Sequence, residues 1–184
     1  FINDSLYSVM NHLKKFEIQA KKRDDQGDYW WELRHCSYYH EFEKEKIIYS
    51  EIVRNPQFCF DNKKFYIEAT SFLMVGKYLK YICGLLNSSP VTYFFKNWYA
   101  GGGLGEEGYR YKKEFLQEVP IPPITPKNQK IVSKIESLVD EIISIKKQDK
   151  NKDTTDLEKQ IDQLVYKLYN LTEEEIKIIE GKNE

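Results

Sequence analysis

The stretch GGGLGEEGYRYKKEF, residues 101–115, separates two fold classes. Its glycines spell G-x-G-x-x-G, which in a doubly wound α/β fold joins a buried strand to the helix that binds a pyrophosphate. Here no Val- or Ile-rich strand precedes the glycines, and Glu106 and Glu107 would repel a phosphate. Aromatic and basic side chains then alternate, which is typical of an extended segment. The pattern therefore predicts a glycine-rich loop that leads into a strand, and not a nucleotide site.

The predicted strand carries the main positive signal of the sequence. Because side chains alternate along a strand, Tyr109 and Tyr111 would face the core while Arg110 and Lys112 project outward. Two interpretations of these cations stay open. They contact DNA phosphates or guanine edges, or they belong to a solvated edge strand whose lysines prevent aggregation. We predict that this strand runs to Val119.

Composition and length bound the function. The chain has 184 residues, 41% of them hydrophobic and 15% aromatic, enough for one domain with or without an appendage. It opens with Phe1 instead of Met, so we expect a segment of a longer protein. No apolar run approaches the length of a membrane span and no signal-peptide pattern is present. Three cysteines without C-x-x-C suit a reducing cytoplasm.

Neither a metal site nor a general affinity for polyanions is predicted. His35, Cys36 and His40 lie close together, but their spacing fits no common zinc site and a fourth ligand is missing. Residues 1–126 carry 17 Lys and Arg against 16 Asp and Glu, and residues 127–184 carry 11 against 13. Non-specific binding to nucleic acid scales with the phosphates neutralised, so only a local basic face would bind it.

Hydrophobic spacing and turn residues predict an α+β fold with two parts. The first mixes helices and strands: a helix over 4–22, strands over 45–52, 57–61 and 65–75, and helices over 78–86 and 91–98. A hairpin turn at Asp61–Lys64 would join the second and third strands. After a proline cluster the second part is helical, because apolar residues step by four and three in two segments. These segments predict an antiparallel helical hairpin. Thr172-Glu173-Glu174-Glu175 is a capping box that opens a last short helix.

No set of catalytic side chains is present. The run Asn87-Ser88-Ser89-Pro90 looks superficially like the Asn/Asp-Pro-Pro-aromatic motif with which amino-methyltransferases hold a flipped adenine. It lacks the proline in second place and the aromatic in fourth place, so we predict a junction between two helices. This chain itself is therefore not expected to be an enzyme.

The order of several short motifs is more specific than any of them alone. They are, in chain order, Trp31-Glu32-Leu33-Arg34, Phe42-Glu43-Lys44-Glu45-Lys46-Ile47-Ile48, Leu85-Leu86-Asn87-Ser88, Tyr109-Arg110-Tyr111, Val119-Pro120-Ile121-Pro122 and Leu168–Ile176. This order resembles that of the TaqI-like C-terminal specificity domain, the target-recognition region of type IIG restriction–modification enzymes. The resemblance covers nearly the whole chain, with Glu45 standing where the family usually has proline.

The resemblance implies a mixed α/β target-recognition domain over residues 1–124 and a helical spacer, the predicted hairpin, over 125–184. It implies sequence-specific binding of duplex DNA. An upstream methyltransferase domain of the parent chain would use S-adenosylmethionine to methylate adenine N6, with or without a nuclease that needs Mg²⁺. No cofactor is expected in this chain, and a cytoplasmic location is implied. The DNA-contacting residues it implies are Arg34, Lys63, Lys64, Glu107, Tyr109, Arg110, Lys112 and Lys113.

Within that set, Arg110 would address guanine and Glu106 or Glu107 would accept a hydrogen bond from cytosine N4. The lysines would hold phosphates, and Arg34 would do likewise or pair with a nearby acid. Two other functions stay open. The chain is a fragment of a type I specificity subunit, or it is a protein-interaction module that docks through its helix pair without binding DNA.

Overall fold

The computed structural model of the chain describes residues 6–24, 26–33, 36–68, 70–99 and 108–182. The chain divides into two compact units, Phe1–His40 and Glu41–Glu184. Small antiparallel sheets combine with several helices, which confirms the predicted α+β class.

The first unit begins with two short helices, α1 (Tyr7–Lys14) and α2 (Glu17–Ala20). The prediction of one continuous helix over 4–22 is therefore wrong for the residues between them. The N–H groups of Lys15 and Phe16 bond carbonyls three residues back, at 3.2 and 2.9 Å. Bonds of this span tighten the last turn of a helix and end it.

Arg23 holds the turn that follows α2. One guanidinium nitrogen, Nη2, donates to the carbonyls of Trp30 at 2.9 Å and Glu32 at 2.6 Å, and Nε donates to the carbonyl of Ala20 at 3.2 Å. The sequence indicated only a charged turn here. The arginine ties the end of α2 to the aromatic segment that begins at Tyr29 because its rigid fork of donors reaches several carbonyls at once.

From residue 39 onward the elements, in chain order, are α3 (Tyr39–Phe42), β1 (Lys46–Ser50), β2 (Ile52–Val53), β3 (Cys59–Asp61), β4 (Ser71–Met74), α4 (Leu79–Asn87), α5 (Ser89–Trp98), β5 (Tyr109–Arg110), α6 (Lys113–Leu116), α7 (Gln129–Gln148), α8 (Thr155–Leu168) and α9 (Glu173–Ile179). The capping box predicted at the start of α9 is confirmed, since Thr172 and Glu175 each accept the other's backbone N–H. The strands and helices that flank β1 form the core of the second unit.

The larger sheet has the order β3-β1-β4, and both pairings are antiparallel. Phe60 of β3 lies opposite Ile47 of β1, and Leu73 of β4 lies opposite Ile48. The predicted hairpin with its turn at Asp61–Lys64 is therefore wrong, because β1 separates the two strands. β1 takes the central place since Ile47, which is fully buried, needs cover that an edge strand lacks.

The second sheet is a two-stranded antiparallel ribbon of β2 and β5. β5 ends at Arg110, so the prediction of a strand that runs to Val119 is wrong. The N–H of Leu116 bonds the carbonyl of Lys112 at 2.9 Å, and a short helix follows the strand. Leu116 and Val119 are both buried, and their spacing of three suits a helical turn and not a strand.

The predicted helical hairpin of α7 and α8 packs on α4 of its own chain. The middle of its apolar stripe is buried there, with Ile135 fully buried and Ile161 5% exposed, whereas Ile142 is half-buried. Gly84 lies at the contact, since a Cβ at this position would stand 2.7 Å from Ile135 and 3.2 Å from Val139. The glycine lets the helices approach closely. The buried residues of the stripe are therefore not available as a docking surface for another protein.

Candidate nucleic-acid interface

The ribbon of β2 and β5 fixes which side chains face solvent. Tyr109 and Tyr111 are 5% and 2% exposed, whereas Arg110 between them is exposed, so the predicted alternation is confirmed. The N–H of Tyr111 donates to the carbonyl of Glu51 at 2.7 Å and extends the pairing by one bond. Arg110 is therefore held on a backbone that is hydrogen-bonded on both sides of it.

An aromatic cluster packs against the buried face of the ribbon. Phe95 of α5 is fully buried, and its ring centroid lies 4.5 Å from that of Tyr111 and 6.4 Å from that of Tyr109. It also lies 5.9 Å from the ring of Tyr99, which immediately precedes the glycine-rich segment 100–107. Tyr99 and Tyr109, which lie on either side of that segment in the chain, thus both pack on the ring of Phe95. The glycine-rich segment itself lies outside the described residues.

The two tyrosines that flank Arg110 add no negative charge to this surface. Burial raises the pKa of both Tyr109 and Tyr111 above the ordinary value. Their hydroxyl oxygens lie 3.3 Å apart, and the hydrogen bond between them supports the neutral form of Tyr111. Arg110 is therefore exposed on a ribbon whose buried tyrosines are neutral. With its ring buried, Tyr109 positions the ribbon, and the contact with DNA predicted for it stays a prediction.

Three lysines lie near β5 in the fold or in the chain, and two of them rest on aromatic rings. The Lys112 ammonium lies 5.6 Å from the ring centroid of Phe115 and 3.9 Å from the carboxylate of Glu114, too far for a strong ion pair. Lys113 is exposed. Lys96 of α5, which the sequence analysis missed, places its ammonium 4.8 Å from the ring centroid of Tyr109. Thirteen positions separate that pair in the chain, so no local pattern reveals it.

The second predicted basic pair, Lys63 and Lys64, lies in a turn that Asp61 organises. The Asp61 carboxylate accepts the N–H of Lys63 at 2.7 Å and that of Phe65 at 2.9 Å. Lys64 has a left-handed backbone, with φ 60°, and its ammonium pairs with Glu43 at 2.9 Å. That hydrogen bond raises the pKa of Lys64 and lowers the pKa of Glu43. Lys63 is exposed, while Lys64 already neutralises a carboxylate.

Arg34 and Glu107, two further residues predicted to contact DNA, lie outside the described residues. Their roles stay predictions, as does the role of Glu106. Across the described parts of the chain, no group of three or more His, Cys, Asp and Glu residues is placed to hold a metal ion. Nor does any helix there have the length and apolar character to cross a membrane.

The run that looked like a methyltransferase motif forms the predicted junction between α4 and α5. The Asn87 side-chain amide accepts the N–H of Phe58 at 3.1 Å and donates to its carbonyl at 2.8 Å, as a paired strand residue would. Ser88 donates to the carbonyl of Leu85, and the Asp162 carboxylate of α8 accepts both the N–H and the hydroxyl of Ser89. These polar groups hold the chain together.

Asn87→Ala is expected to lower the free energy of unfolding by about 1–3 kcal/mol, because the N–H of Phe58 would lose its partner and its carbonyl would keep only the Cys83 thiol. Asn97→Ala is the matched control. Each asparagine is exposed and donates to the carbonyl four residues before it, but among the described residues only Asn87 also bonds a distant segment, at Phe58. Asn97→Ala should lower the free energy of unfolding by about 0.5 kcal/mol or less. Urea denaturation followed by circular dichroism measures both, and equal losses would contradict the bridging role.

Comparison with known protein families identifies the family of this chain. Residues 5–121 match the model of the TaqI-like C-terminal specificity domain. The chain belongs to this family. A comparison with curated proteins finds no match. The TaqI-like specificity domain has a DNA-recognition role in restriction–modification enzymes and is not itself catalytic. The match includes the ribbon, the aromatic cluster and the Asp61 turn, and it ends before α7.

Proposed function

We propose that this TaqI-like specificity domain is the sequence-specific duplex-DNA recognition module of a type IIG restriction–modification enzyme. The observation that carries the proposal is the outward guanidinium of Arg110 on a ribbon fixed by buried tyrosines. No hydrogen bond or ion pair joins this guanidinium to the other described residues, so its five donors are available to a ligand. Lys112, two residues further along the chain, and Lys96, over the ring of Tyr109, would meet phosphates.

The proposal extends to the parent chain. An upstream domain would bind S-adenosylmethionine, which supplies the methyl group for adenine N6, and a fused nuclease would use Mg²⁺. The described residues contain no metal-binding cluster to which such an ion would belong. We also keep the division into a recognition domain over 1–124 and a helical spacer over 125–184. The spacer's role is to support α4, since α7 packs directly on that helix.

The two other functions have less support. A type I specificity subunit would carry a second, similar recognition half in its full-length chain, which its sequence would reveal. A protein-interaction module would need the apolar stripes of α7 and α8 at the surface. Ile135, Leu138 and Ile161 are instead buried within the chain.

Selection of randomised duplex DNA by the natural full-length protein, with sequencing of the retained duplexes, tests the proposal. We expect an enriched motif that contains at least one guanine. Arg110→Gln should then lose about 5- to 150-fold of the preference at one guanine, since a bidentate contact contributes about 1–3 kcal/mol of discrimination.

Two lysine variants serve as controls. Lys113→Gln should weaken binding to all sequences alike and flatten its dependence on salt, because a phosphate contact carries no base preference. Lys147→Gln, at the end of α7, should leave both affinity and motif unchanged. An Arg110→Gln protein with the full wild-type preference would show that this arginine does not read a base.

A further inference from the structure

The side chain that lies opposite Arg110 on the ribbon is apolar and faces solvent. Ile52 pairs with Arg110 in register, and 53% of its surface is exposed. The next pair, Val53 and Tyr109, is 7% and 5% exposed and faces the core. The outer face of the ribbon thus presents a branched hydrocarbon and a guanidinium side by side.

This pairing puts an apolar side chain on the face of the ribbon that meets water, where polar side chains are the common choice. Sheet edges are commonly protected by charged residues, and the outer position of a two-stranded ribbon gains no core contact from isoleucine. The exposed half of a branched apolar side chain at this position gains hydrophobic free energy when a ligand covers it. The adjacent cations indicate that such a ligand is an anion with apolar groups within reach.

Duplex DNA has this combination in its major groove. The groove is wide enough to admit a two-stranded β-ribbon, and it displays the O6 and N7 acceptors of guanine and the C5-methyl group of thymine. Side chains that lie opposite each other in an antiparallel pair have Cβ atoms about 4.5–5.5 Å apart. Stacked bases are about 3.4 Å apart. Two such side chains therefore reach neighbouring base pairs.

We propose that Ile52 is a base-reading residue, which contacts the C5-methyl group of a thymine next to the guanine that Arg110 reads. This inference rests on the proposed function. It adds to it a residue on β2, a strand that the sequence analysis did not connect with recognition, and it makes the ribbon a two-residue reader of a G–T or T–G step.

The test couples a change in the protein to a change in the DNA. Uracil lacks only the methyl group of thymine, so each thymine of the selected motif is replaced in turn by uracil and the affinity of the full-length protein is measured. For the wild type, one replacement next to the Arg110-dependent guanine should weaken binding about fourfold, the value of one buried methyl group. The Ile52→Ala protein should bind the thymine and uracil duplexes equally.

Two further variants control for indirect effects. Ile52→Val keeps a methyl group at the contact and should retain most of the sensitivity to uracil. Ile178→Ala removes a 43%-exposed isoleucine from α9 and should retain all of it. Melting temperatures within a few degrees of the wild type would show that the Ile52 variants fold.

Each remaining outcome is decisive. If a motif is enriched but replacing thymine by uracil weakens binding equally in the wild type and in Ile52→Ala, Ile52 does not read the methyl group. Recognition of DNA by the domain is then unaffected. If a motif is enriched and no replacement of thymine by uracil weakens binding, the role of Ile52 is likewise overturned. If the wild-type protein enriches no motif, the proposed function and this inference fall together.

Discussion

Replacing Lys46 with Met is expected to lower the free energy of unfolding of the second unit by about 3–5 kcal/mol. The Lys46 ammonium is fully buried and lies 2.6 Å from the carboxylate of Asp61, which is 3% exposed. It also donates to the carbonyls of Phe42 at 2.7 Å and Lys44 at 3.5 Å. Methionine would leave Asp61 as a buried charge without its counterion, and breaking a buried pair on one side has a cost of this size.

Guanidinium chloride denaturation followed by circular dichroism measures the loss. Lys44→Met is the matched control, because Lys44 pairs with Glu41 at 2.9 Å but is itself 55% exposed. Exposed pairs contribute about 0–1 kcal/mol. A Lys46→Met protein no less stable than Lys44→Met would show that Asp61 does not need its partner.

The pH dependence of stability provides a second check on the same pair. Burial by itself raises the pKa of Asp61. The hydrogen bonds from Lys46 and from two backbone N–H groups lower the pKa by more than burial raises it, so the pKa lies below its ordinary value of 3.8. The folded state therefore binds the Asp61 proton more weakly than the unfolded state. The stabilisation is present above the ordinary pKa and is lost as the pH falls through the lowered one. Asp61→Asn should remove this part of the acid dependence.

The sequence predicted those features that depend on neighbours along the chain. Alternation placed Tyr109 inward and Arg110 outward, apolar steps of three and four predicted α7 and α8, and the spacing of Thr172 and Glu175 predicted a capping box. Each rests on contacts within about four residues, where strand and helix periods apply. Such features can be predicted from the residues of one short segment.

The misplaced features depend on pairings between distant segments. The sequence around Lys46 indicates only a lysine on a strand, and its burial depends on Asp61, fifteen residues later. The pairing of β1 with β3 and with β4 also joins distant segments. The sequence predicts a tight hairpin turn at Asp61 because Asp and Asn favour turns. Its carboxylate does hold a turn, but the chain leaves that turn without pairing β4 to β3. The partnership of Lys96 with Tyr109 and of Ile52 with Arg110 has the same long-range origin.

Phe95→Ala is expected to lower the free energy of unfolding by about 3–5 kcal/mol, the usual cost of removing a fully buried aromatic ring and leaving a cavity. The loss should exceed that of Phe94→Ala, because Phe94 is only half-buried and packs mainly on the exposed Trp98, with 5.1 Å between ring centroids. Thermal or urea denaturation compares the two neighbouring positions directly.

Phe95→Leu separates the role of the ring in recognition from its role in stability. Leucine keeps most of the apolar volume and should cost about 1.5 kcal/mol or less if the core repacks, so the protein stays folded. It removes the ring contacts that fix Tyr99 and Tyr109 at the two ends of the glycine-rich segment. Because Arg110 adjoins one of these anchors, the variant should lose part of its discrimination at guanine while its salt-dependent phosphate binding persists. Full discrimination in a folded Phe95→Leu protein would mean that hydrogen bonding of β5 to β2 is sufficient to position Arg110.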